Sequence, residues 1–138
     1  KKSKPYDGIM KCLDDLKAHQ IASAVLSNKP HNFTELCVES LIGNEHFISI
    51  LGQRDSVNKK PSPDGAIEIC NGVNVDPSDV IFIGDTNVDI LTGVAAGMTT
   101  MGVLWGFRKE EELREAGADY IISHPNQILD AILNSKSR

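Results

Sequence analysis

Apolar residues along this chain switch between helical spacing and short unbroken runs, a pattern that predicts helices alternating with strands. Across residues 7–19, Ile9, Leu13 and Leu16 recur at helical spacing while Asp14, Asp15 and Lys17 lie on the opposite face. Residues 22–26 form a short apolar run that ends at Ser27-Asn28-Lys29, where Pro30 breaks it. A helix is predicted over 31–41 through Phe33, Leu36 and Val38, then a strand over 47–51 that Gly52 stops. Ser62-Pro63-Asp64 reads as a helix start with Ser62 at the N-cap, and Asn71-Gly72 as that helix's end.

Val80-Ile81-Phe82-Ile83 has the unbroken β-branched and aromatic character of a strand buried on both faces of a parallel sheet. It stops at Gly84-Asp85. Thr86 then caps a helix running to Ala96, with Asp89 three residues inside as a variant capping box and Gly97 suited to the left-handed turn beyond. A strand over 98–104, a helix over 110–116, a strand over 120–122 and a helix over 126–133 complete the pattern, with no internal repeat or linker. Strands and helices in alternation with short connections predict an α/β fold: a three-layer, Rossmann-like parallel sheet flanked by helices. Such sheets collect ligands beyond the carboxyl ends of their strands.

Composition narrows the function classes. With 138 residues, 41% hydrophobic and 24% charged, the chain has the make-up of one globular domain rather than of a disordered segment or coiled coil. A net charge of -5 argues against a nucleic-acid partner held by a basic face. The longest apolar stretches reach about half of the ~20 residues a membrane span needs. Cys12, Cys37 and Cys70 lie far apart in apolar helical patterns and read as small hydrophobes of a reducing cytoplasm. His19, His31, His46 and His124 share no zinc-ligand spacing. The opening Lys1-Lys2-Ser3-Lys4 has neither a signal-peptide pattern nor an initiator Met.

Three polar clusters sit at strand ends or in the loops beyond them. Ser27-Asn28-Lys29 offers a hydroxyl followed by backbone amides entering a helix, an arrangement suited to an anion such as phosphate or to a plain turn. In Lys59-Lys60-Pro61-Ser62-Pro63, Lys60 lies between a loop and a proline-stiffened helix start, either as a fixed inward charge or as a solvated side chain. Gly84-Asp85-Thr86-Asn87-Val88-Asp89 places a carboxylate at the end of a buried strand, where a cation would offset its desolvation. Mg²⁺ is the natural partner, since it takes oxygen ligands from one or two carboxylates and a substrate phosphate. Both acids also have a capping reading, and Asp89 would stabilise the helix dipole from its first turn.

In order, Leu26-Ser27-Asn28-Lys29, Lys60-Pro61-Ser62-Pro63-Asp64 and Ile83-Gly84-Asp85 through Asp89 resemble motifs two, three and four of the haloacid dehalogenase-like hydrolases, nearest to their phosphoglycolate phosphatase-like branch. The segments 103–108 and 116–120 resemble the tail of that branch. The resemblance implies a Mg²⁺-dependent phosphatase acting on a small phosphomonoester through an aspartyl-phosphate. It assigns phosphoryl oxygens to Ser27 and the Asn28 amide, charge neutralisation to Lys60, the metal to Asp85, and direct or water-mediated metal support to Asp89. A phosphomutase or pyrophosphatase of the same family carries near-identical motifs. From outside it, the rivals are a non-catalytic phosphate-binding module and a receiver-like signalling domain with Asp85 as phosphoacceptor.

The family's first motif, an Asp-x-Asp that supplies nucleophile and acid/base, is absent from these 138 residues, as is its substrate-selecting cap. Residues 1–138 are therefore expected to form a partial core that lacks the amino-terminal nucleophile strand and is inactive as it stands. In the family that strand lies between the strands ending here at Leu26 and Ile83. Its absence would leave two backbone edges to pair directly, to swap into a dimer, or to hold an amino-terminal fragment.

Overall fold

The computed structural model describes residues 8–32, 34, 47–54, 57–106 and 108–136. Element order is α1 (Ile9–Ala18), β1 (Ala24–Pro30), β2 (Ser49–Gln53), α2 (Asp64–Val73), β3 (Ile81–Gly84), α3 (Asn87–Ala96), β4 (Thr99–Val103), α4 (Glu110–Ala116), β5 (Tyr120–Ile122) and α5 (Asn126–Lys136). A short 3-10 turn, Pro77–Asp79, precedes β3. The fold is the expected α/β arrangement of parallel strands flanked by helices. No helix among the described residues is long and apolar enough to cross a membrane.

Period-two alternation along the strands divides the core between two faces. Met101 and Val103 of β4 and Ile122 of β5 pack with Cys12 and Leu16 of α1 and Ile128 and Ile132 of α5. Phe82 and Leu26 point the other way, to Ala66 and Cys70 of α2, Ala96 of α3 and the adjoining Met98. Thr100, fully buried on β4, has its polar groups satisfied: its amide donates to Asp119 Oδ2 at 2.8 Å and its hydroxyl accepts from the Asp119 amide at 3.1 Å.

All strand pairs are parallel, but they form two ladders, β1-β2 and β3-β4-β5. Among the described residues, β1 and β3 each keep one edge unpaired. That departs from the reading of β3 as a strand buried on both faces. Ile83 is 37% exposed while Met101 on the adjacent β4 is fully buried, because β4 has a strand on either side and β3 has one.

Other boundaries move for identifiable reasons. β1 continues past Leu26 to Pro30, with a register shift after Leu26 that lifts Ser27, Asn28 and Lys29 out of the regular ladder. Gly52 lies inside β2 instead of ending it. A Cβ there would fall 2.5 Å from His31 Cα and 2.7 Å from the Lys29 carbonyl, so glycine admits the segment that follows β1. Helix α2 starts at Asp64, whose amide reaches the Ser62 hydroxyl at 3.2 Å, and runs past Gly72 to end on Asn74 in the left-handed region, φ 58°. Of the helix expected over 31–41, only His31, Asn32 and Thr34 are described, and these are helical; Leu36, Cys37 and Val38 lie outside the described residues.

Candidate active site

The carboxyl ends of β1 and β3 carry the site, and one buried ion pair joins them. Lys60 Nζ donates to Asp89 Oδ1 at 2.6 Å and to the Leu26 carbonyl at 3.4 Å. Only 13% of the lysine side chain and 11% of the aspartate side chain reach solvent. The solvated-lysine reading is thereby excluded: this ammonium is fixed between the end of β1 and the first turn of α3.

Asp89 is held as firmly. Its Oδ2 accepts from the amides of Asp85 (3.2 Å) and Thr86 (3.3 Å) and from the Thr86 hydroxyl (3.1 Å), while its own amide donates to Thr86 Oγ1 at 3.2 Å. This is the reciprocal capping box read from the sequence, with an aspartate in the place usually held by glutamate. Gly84 makes it sterically feasible, since a Cβ there would lie 2.1 Å from Asp89 Cβ. Both oxygens of Asp89 are thus engaged by protein donors. Asp85, by contrast, has no side-chain hydrogen bond or ion pair among the described residues. Its carboxylate rests against Gly106 in the loop after β4, where a Cβ would come within 2.3 Å of Oδ2.

On the β1 side, Ser27 Oγ accepts from the Lys29 amide at 3.1 Å, and the hydroxyl keeps its own proton to donate. Ser27, Asn28 and Lys60 line one cavity of about 10 Å³, at the end of β1 and beside the start of α2. Asp85 and Thr86 line a separate open concavity of about 560 Å³ with Arg108, Lys109 and Glu112. Lys60, Asp85 and Asp89 are linked through hydrogen bonds, whereas Ser27 and Asp85 line different hollows.

Two arrangements were not read from the sequence. The side chain of Asn28 grips the backbone of Lys60, and Arg54 makes a forked pair with Glu68 at 2.9 and 2.6 Å. The Arg54 hydrogen bonds hold the Glu68 carboxyl below its ordinary range. Burial raises the thiols of Cys12 and Cys70. Nothing in the local sequence signals either pairing.

No group of three or more His, Cys, Asp or Glu side chains gathers among the described residues. The donor chemistry nevertheless fits a hard cation of the Mg²⁺ type, which binds through one or two carboxylates and retains water. Asp85 supplies an unengaged carboxylate at the strand end, and Asp89 stands one hydrogen bond behind it through the Asp85 amide.

Two parallel ladders bring Ser27, Asp85 and Asp89 together with Lys60, which lies in the loop between β2 and α2. The profile described as haloacid dehalogenase-like hydrolase matches residues 1–103, and the chain belongs to that family. It is 35% identical over 132 residues to the N-acetylmuramic acid 6-phosphate phosphatase of Pseudomonas aeruginosa, covering 94% of this chain and 58% of that protein. It is 29% identical over 120 residues to the phosphoglycolate phosphatase of Escherichia coli K12, covering 87% and 48%. A crystal structure of a Lactobacillus delbrueckii protein assigned as a phosphoglycolate phosphatase superposes with a TM-score of 0.90 at 31% identity, covering 96% of this chain and 55% of that one. The chain spans about half the length of these relatives.

Proposed function

We propose that the full-length gene product is a phosphatase that hydrolyses a small phosphomonoester with Mg²⁺ through an aspartyl-phosphate. Its nucleophilic aspartate would lie outside these 138 residues. The observation that carries this reading is the buried Lys60–Asp89 pair beside the unengaged Asp85 carboxylate, at the carboxyl ends of β1 and β3. Phosphoryl transfer is mostly positioning and charge stabilisation, and these residues supply both.

In this reading Ser27 donates its hydroxyl proton to a phosphoryl oxygen, and the Asn28 amide donates to another. Lys60 neutralises charge shared between the phosphate and the attacking carboxylate. Asp85 would hold Mg²⁺, which would supply charge neutralisation, and Asp89 orients Asp85 through its amide while holding the Lys60 ammonium. The bond from phosphorus to the leaving oxygen breaks as the acyl-phosphate forms, that oxygen taking a proton from the acid/base carboxyl the family's first motif would supply; water then attacks phosphorus, returning a proton to that carboxylate, releasing inorganic phosphate and restoring the nucleophile. The two named relatives act on phosphoglycolate and on N-acetylmuramic acid 6-phosphate, which makes small phosphorylated acids the substrates to try first.

The same proposal assigns a role to the unpaired edges of β1 and β3: a parallel strand carrying the nucleophile would pair with both and close the two ladders into one sheet. This chain alone is then inactive. The test is Mg²⁺-dependent hydrolysis of an aryl phosphate and of the two named substrates, by this chain and by the full-length product. Activity only in the full-length product supports the reading. Turnover by the short chain, purified to one species by mass, overturns the placement of the nucleophile. A stable 15 kDa monomer whose β1 and β3 amides exchange no faster than in the full-length product overturns the strand assignment.

A further inference from the structure

The two hydrogen bonds between the Asn28 side chain and the backbone of Lys60 form a clamp. Asn28 Oδ1 accepts from the Lys60 amide at 2.8 Å, and Asn28 Nδ2 donates to the Lys60 carbonyl at 3.2 Å. The carboxamide thus engages both backbone polar groups of one residue, 32 positions along the chain. Asn28 can reach across because the register shift lifts it out of the β1-β2 ladder, and the Lys29 amide bonded to Ser27 Oγ fixes the backbone on either side of it.

We propose that Asn28 is a positioning residue for the Lys60 ammonium, setting where that charge stands by holding the peptide unit from which the side chain springs. This rests on the assignment of Lys60 to phosphate binding made above. Lysine carries its charge on a four-carbon stem with many rotamers, so a fixed ammonium needs a fixed root as well as a fixed tip. Asp89 and the Leu26 carbonyl hold the tip. Asn28 holds the root, and no other side chain among the described residues is hydrogen-bonded to the Lys60 backbone. The clamp also ties the irregular end of β1 to the loop carrying Lys60, fixing Ser27 and Lys60 relative to each other. This role belongs to the side chain of Asn28 and is separate from the phosphate contact assigned to its amide, which any residue would supply.

The test is a double-mutant cycle in the full-length product, read as the dissociation constant for inorganic phosphate by calorimetry in the presence of Mg²⁺. Lys60→Met is expected to weaken phosphate about tenfold or more, the value of one charge-assisted hydrogen bond. Asn28→Ala is expected to weaken it about tenfold in the wild-type background and less than about twofold in the Lys60→Met background, since a positioning residue has nothing left to position. Asn28→Gln, which keeps both hydrogen-bonding groups on a stem one methylene longer and adds no charge, should fall between wild type and Asn28→Ala. It serves as the second variant should alanine prevent folding. A purely structural role would give an equal loss in both backgrounds, and that result overturns the proposal, as does unchanged phosphate affinity in both Asn28 variants. A Lys60→Met protein with undiminished phosphate affinity overturns the assignment of Lys60 itself, and the two failures are thereby distinguished.

Discussion

Asp89→Ala strips the Lys60 ammonium of the carboxylate 2.6 Å away and leaves it, among the described residues of this chain, the Leu26 carbonyl at 3.4 Å. With about a tenth of each side chain exposed, the stranded lysine cannot rehydrate in place. Breaking such a pair from one side costs about 3–5 kcal/mol. The same substitution removes the acceptor for the Asp85 and Thr86 amides, a cap worth about 1 kcal/mol. Lys60→Met should cost less, because Asp89 Oδ2 keeps its three donors. Lys60→Met with Asp89→Ala leaves no charge to strand, so the double variant should be more stable than the sum of the single losses by about 2–3 kcal/mol. Urea unfolding of this 138-residue chain, in which no further carboxylate among the described residues faces Lys60, with m-values checked for constancy, reads all three. An Asp89→Ala loss below about 1 kcal/mol, the range of an exposed pair, would refute the reasoning, as would additive single effects.

Glu68→Gln should lower the urea midpoint at neutral pH. Arg54 holds the Glu68 carboxyl below its ordinary 4.5, so this stability is present above that value and is lost as pH falls through the lower folded one. The difference from wild type should be small, because Glu68 is 42% exposed, and should vanish in acid; a difference constant from pH 7 to pH 3 argues against the fork. Gly106→Ala inserts a methyl 2.3 Å from Asp85 Oδ2 and should weaken Mg²⁺ about tenfold, read by calorimetry without substrate, while the far-ultraviolet dichroism is unchanged. Unaltered Mg²⁺ affinity would detach Asp85 from the metal. Cys12 and Cys70, with thiols raised by burial, should resist alkylation at pH 8 in the native protein and react in urea, as mass spectrometry would detect.

What the sequence made legible was local. Thr86 and Asp89 lie three residues apart, and their capping box needs no partner from elsewhere, so it could be read directly; so could Gly97, which adopts φ 80° at the end of α3. Strand–helix alternation sufficed for the parallel fold. Features made by distant partners were hidden. Gly52 looked like a terminator because the 29–34 segment that needs the space is not its neighbour in sequence. Asn28 looked like one residue of a turn, since Lys60 is 32 positions away. The apolar run of β3 is suited to burial on all sides, and its exposure follows from an unpaired edge that no property of the run itself discloses.

Asp89 couples local opening of α3 to the site. The carboxylate that starts α3 is also the one that anchors Lys60, so the first turn of that helix cannot fray without releasing the charge at the end of β1. Helix fraying and site loosening become a single event with a single free energy, and the amide of Ile90, bonded to the Thr86 carbonyl, is its reporter in hydrogen exchange. Sequence change that softens this helix end is therefore felt at once by the site, and anything that steadies Lys60 protects the helix.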